Sequence, residues 1–123
     1  METAPPGLVA GIEEFNRGEY FECHETLELL WRAEPRTVRQ LYQGILQVGV
    51  ALYKVQRGQY RGATILIDRG MDYLRPFVPA CQGVDVVSLL AAAERCREEI
   101  RRLGPEGLEA FDWALAPRIG IGD

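Results

Sequence analysis

Apolar residues return at three- and four-residue steps along nearly the whole chain, and no alternation of apolar and polar positions lasts long enough for a strand. The pattern predicts an all-α protein of five to six helices. Leu8, Ile12 and Phe15 stand in register on a first helix over about residues 7–17, closed by "RGEY", where Gly18 supplies a left-handed C-terminal turn. A second helix runs from about Glu19 to Ala33 and is ended by Pro35. The third, about residues 36–57, is apolar nearly all round, the mark of a central helix, and closes on Gly58. A fourth spans about residues 59–75, before Pro76 and Pro79 impose a connector. Asp85 is placed as the N-cap of a fifth helix over about residues 86–103, ended by Gly104. "PEGLEAFDWAL" predicts a short sixth helix opening at Pro105, and "APRIGIGD" an extended tail.

"RGEY" (17–20) and "RGQY" (57–60) punctuate two helix pairs, and in the same alignment Tyr20 matches Tyr60, Cys23 matches Ala63 and Leu27 matches Ile67. This echo predicts stacked antiparallel helical hairpins in a tetratricopeptide-like bundle. The 123 residues are read as one helical domain, its core in residues 7–103, with a short helix and tail over 104–123.

Charge changes the picture in one respect. The net charge is −4, with eight acids and two arginines in residues 1–34 against ten acids and twelve bases in the remainder. An acidic chain lacks the basic footprint for phosphate contacts, so neither nucleic acid nor an anionic membrane is expected as a partner. The longest uncharged run, Gln40 to Tyr53, is too short to span a bilayer. Cys23, Cys81 and Cys96 form no CxxC spacing, and the N-terminus shows no secretory pattern; reduced thiols in a cytoplasmic protein are expected. Leu89, Ala93, Cys96, Ile100 and Leu103 form a stripe that suits either docking on the chain's own core or a partner helix. A homo-oligomer is expected, and a protein partner is compatible with the same stripe.

The candidate chemistry lies in "YFECHETLELLWR" (20–32), which holds the only histidine. On a helical wheel Tyr20, Cys23, His24, Leu27, Glu28 and Trp31 share one arc, while Glu22 and Glu25 fall outside it. The wheel therefore points His24 and Glu28 to the packed side, where a carboxylate needs a partner and the imidazole four residues before it can serve. Gln40, Gln43, Gln47 and Lys54 form a narrow polar stripe on the third helix, beside Gly44 and Ala51. If that stripe faces the second helix, Gln43 and Gln47 support the pair; if it faces water, they are a solvated edge.

Three readings of the pair stand side by side. It is half of a divalent-metal site for zinc, iron, nickel or manganese, a base with its partner in a substrate pocket, or a satisfied polar cluster that fixes helix register. The chain has no Gly-rich phosphate loop, GxSxG or HExxH, which removes the familiar enzyme classes. The leading function is a small binding domain organised by His24 and Glu28, with Tyr20, Trp31, Gln43 and Gln47 in support. An assembly module with a purely structural pair comes second, and a metal-assisted hydrolase third.

"FNRGEYFECHETLELLW" followed by "LYQGILQVGVALYKVQRGQYRGA" resembles the domain-of-unknown-function 309 family of bacterial and archaeal helical proteins. Its hallmark, His-x-x-x-Glu-x-x-Trp/Tyr, is met by His24, Glu28 and Trp31, and the likeness covers about residues 15–75. The resemblance implies an all-helical fold and metal binding at the motif, and it implies no activity. Family members often carry a second histidine where this chain has Lys54, so a metal site here does not draw on that position.

Overall fold

In the computed structural model, which describes residues 2–122, five α-helices follow one another: α1 Pro6–Asn16, α2 Tyr20–Ala33, α3 Arg39–Gln56, α4 Tyr60–Leu74 and α5 Val86–Gly107. Each packs chiefly on its neighbours in the chain, most extensively α3 on α4 and α2 on α3, which gives the expected stack of antiparallel helices.

The two "RG" turns are the same structure twice. At the first, Gly18 (φ 78°) donates to the Phe15 carbonyl and Glu19 to that of Glu14, 2.9 Å each. At the second, Gly58 (φ 70°) donates to Val55 at 3.0 Å and Gln59 to Lys54 at 2.8 Å. Both are Schellman caps, in which a left-handed glycine lets the last helical carbonyls find partners while the chain reverses. The aligned pairs Cys23 and Ala63, and Leu27 and Ile67, are all fully buried.

α3 is the central helix. Its face bearing Gly44 presses on Gly70 of α4: a Cβ at Gly70 would stand 2.9 Å from the Val48 amide nitrogen and 3.0 Å from the Gly44 carbonyl oxygen. A second face meets α1 and α2, where the space in front of Gly49 is closed by Phe15 and Cys23. Ten α3 residues are buried, and the line left partly open runs through Gln43, Gln47, Val50 and Lys54. Burial pushes the thiols of Cys23 and Cys96 up to about 12, so both stay protonated and inert.

The C-terminal third departs from the expected course. Two-residue strands β1 (Ala80–Cys81) and β2 (Val84–Asp85) pair antiparallel inside the Pro-rich connector, a ladder too short to leave any periodicity. Asp85 caps α5 as expected, accepting from the Ser88 amide. Gly104 (φ 69°) breaks α5, and a short helical piece opens at Pro105 as expected, running through residues 105–107 into the 3-10 turn Leu108–Ala110; a separate 3-10 turn, Trp113–Leu115, follows. The core also extends beyond residue 103, since Leu108, Phe111 and Ile119 are buried. The tail is extended yet fastened. The Asn16 side chain bonds both the amide and the carbonyl of Ile119, at 2.7 and 3.0 Å, and residues 120–122 pair with the β-hairpin. The Leu89–Ala93–Cys96–Ile100 stripe docks on the chain's own core.

Beneath this hairpin the buried Tyr42 hydroxyl donates to Gln82 at 2.7 Å, and Gln82 donates on to Glu2. Arg36 bonds both Glu2 and Glu34, and its guanidinium holds the Glu34 carboxyl down at about 2. No helix of the described residues is long and apolar enough to cross a membrane.

The α3–α4 contact and the turns respond differently to an added methyl group. Nothing lies within 4 Å of a Cβ at Gly58, so Gly58→Ala meets only left-handed strain, about 1–2 kcal/mol. Gly70→Ala meets backbone that no rotamer change can relieve and is expected to cost about 3 kcal/mol. Urea denaturation of both variants measures the difference, and equal losses would show that the helices separate freely.

Candidate functional site

The α2 sequence places His24 and Glu28 on adjacent turns, and the fold puts them at the rim of the α2–α3 interface. His24 Nε2 lies 3.1 Å from Glu28 Oε2, and the side chains are 35% and 32% exposed. They are not in the packed interior, where the helical wheel had pointed them. The wheel fixes a direction from the helix axis and cannot tell where the neighbouring helix stops. Here Leu27 is sealed against Gly11 of α1 and Cys23 lies beside Gly49 of α3, both fully buried, while the next positions round stay at the water's edge.

The two Glu28 oxygens have different partners. Oε2 faces His24, while Oε1 accepts from the Arg32 guanidinium at 3.1 Å. Arg32 stands one turn beyond Glu28, so this contact was readable from the i, i+4 spacing alone. His24 borders a cleft of about 140 Å³ lined by Tyr20, Phe21, Val50, Tyr53 and Lys54. The Phe21 ring lies 5.9 Å from Tyr53 and 6.5 Å from His24 between centroids, and Phe21 is 50% exposed. The cleft is smaller than the several hundred Å³ of an ordinary cofactor pocket, so it suits an ion or one inserted side chain.

The remaining sequence candidates fall into place around this cleft. Tyr20 is buried, its phenol pushed up to about 12 by desolvation, and it forms the cleft's inner wall, with no free hydroxyl chemistry to offer. Trp31 is partly buried and packed against the core, and the Arg39 guanidinium carbon lies 4.1 Å from its ring centroid, a cation–π contact across α2 and α3. Val50 and Lys54 line the cleft together with α2 residues, and Gln43 and Gln47 continue the same partly open line of α3. Neither glutamine bonds to the pair. Gln47 Oε1, Trp31 Nε1 and Arg39 Nε are all buried without a hydrogen-bond partner. Tyr53 is partly exposed, and Phe21, Arg32 and Arg39 are not among the residues to which the sequence points.

Toward a divalent ion the pair offers one imidazole nitrogen and one carboxylate oxygen facing each other. A separation of 3.1 Å lets both reach a common ion at the usual distance of about 2.0–2.2 Å. Among the described residues, no group of three or more His, Cys, Asp or Glu side chains is gathered for a metal. One chain therefore supplies two ligands where a structural zinc takes four.

The family model described as "Domain of unknown function (DUF309)" matches residues 8–66, which span α1 to the middle of α4 and include the whole pair and its cleft. The uncharacterised protein YpuF of Bacillus subtilis (strain 168) is 35% identical over 100 residues, which is 78% of this chain and 58% of that protein. The chain thus spans little more than half the length of this relative.

An exposed i, i+4 pair contributes roughly 0.3–0.5 kcal/mol to folding. His24→Ala is accordingly expected to lower stability by less than about 1 kcal/mol, whereas Leu27→Ala, one turn along and fully buried, should cost about 2–5 kcal/mol. Comparable losses in urea denaturation would place the imidazole in the core.

Proposed function

We propose, from the site itself, a small helical binding domain whose ligand is engaged by His24 and Glu28 at the α2–α3 rim; the DUF309 model that matches residues 8–66 names no activity. The observation that carries this reading is the position of the pair. It is ordered by its own contacts, a third exposed, and adjacent to an apolar cleft. A ligand reaches it without opening the core, and the cleft gives a neighbouring apolar group somewhere to go.

The ligand proposed is a divalent cation of the zinc, nickel, iron or manganese type. Neutral imidazole and carboxylate are usual donors for these ions, and the facing nitrogen and oxygen are spaced for a shared one. Arg32 keeps its contact with Glu28 Oε1 while Oε2 turns to the ion, so it serves as an outer partner that orients the ligating carboxylate.

Protein purified without an affinity tag and equilibrated with zinc should retain the metal on a desalting column, as measured by elemental analysis. His24→Ala should lose it while keeping its circular dichroism spectrum. Zinc retained in full by His24→Ala would overturn the assignment.

A further inference from the structure

The site as it stands in one chain is unfinished. Resting on the proposed cation reading, we infer that a second copy of this chain completes it, so that one ion is held between two protomers by His24 and Glu28 of each.

Four observations lead there. The ligand count comes first. One chain gathers two donors at this rim, no third His, Cys, Asp or Glu joins them among the described residues, and a closed site takes four. Doubling the pair by a two-fold axis gives two imidazoles and two carboxylates, a complete set from one repeated surface, as an isologous contact requires.

The second is charge. Two ionised Glu28 carboxylates with two neutral imidazoles balance a divalent ion. Without the ion, the same apposition has no ligand bonds to hold it and sets the two Glu28 carboxylates, and the two Arg32 guanidiniums bonded to them, close to their like-charged copies. The contact therefore forms with the cation and comes apart without it.

Exposed apolar surface supplies the third. Phe21 stands one turn before His24, at the mouth of the cleft, with half its surface in water. A second copy seated on this rim covers it, and a monomer leaves it exposed. The last is access. His24 and Glu28 are each about a third exposed, with Glu28 Oε1 already tied back to Arg32, so Oε2 can turn outward without repacking the core.

Light scattering coupled to size-exclusion chromatography, together with calorimetric zinc titration of the untagged full chain, tests the inference. Expected are the mass of one chain in chelator, twice that mass in zinc, and a stoichiometry of one zinc per two chains. Both responses should disappear in His24→Ala, and Glu28→Gln, which keeps the shape of the side chain, should weaken zinc binding at least tenfold. One zinc bound per chain with no change in mass would overturn the shared site and leave the cation reading standing. A dimer that persists in chelator and in His24→Ala would also overturn it, because its contact would lie elsewhere. Absence of any zinc binding would overturn both readings.

Discussion

The arrangement of this molecule depends on how closely α3 and α4 approach. Gly44 and Gly70 face each other across that contact, and between them there is no room for a side chain: a Cβ on either would lie within about 3 Å of atoms on the other helix. With α4 this close on one side and α1–α2 sealed against Gly49 on another, only one line of α3 remains in reach of water. That line is Gln43, Gln47, Val50 and Lys54, and its C-terminal half borders the cleft beside His24. The site is thus a by-product of tight packing elsewhere. Its floor is the part of the central helix that its neighbours leave uncovered.

Helix periodicity made most of this legible, because the helices are long and bury one side each. The caps at Gly18 and Gly58 were legible as well, since a left-handed C-terminal residue is a chemical requirement that glycine meets at no steric cost. What failed to show was short or depended on contacts distant in sequence. Two-residue strands have no period to detect. Residues 36–38 were read into the third helix, but behind Pro35 they form a separate turn, and Arg36 is drawn aside by Glu34 and Glu2, the latter 34 residues away. The tail is held by Asn16, 103 residues from its partner Ile119. No local rule announces such a bond.

The depth of His24 and Glu28 was not legible in the sequence. His24 and Glu28 lie at the flank of the apolar arc, and a wheel treats the flank and the centre of an arc alike. Trp31 illustrates the same difficulty: its size argues for the core, but its position opposite Arg39 on the neighbouring helix turns it into a platform for a guanidinium. The pairing of α2 with α3, which decides both outcomes, is set by the turn at residues 34–38 and by packing against Gly49, and neither is contained in the α2 sequence.

Depth also bears on the cation role proposed for the pair. Sealed in the core, an imidazole–carboxylate contact would be held by the penalty for breaking it, several kcal/mol for an orphaned charge, and no ligand could compete. At the rim the same contact contributes roughly half a kcal/mol, because water offers both groups an alternative. A cation that takes Nε2 and Oε2 therefore displaces very little, while Arg32 continues to hold the other oxygen and keeps the carboxylate in place. Weak mutual binding with a well-defined geometry is what a preorganised ligand pair needs, and the fold supplies the geometry through α2 rather than through the strength of the pair itself.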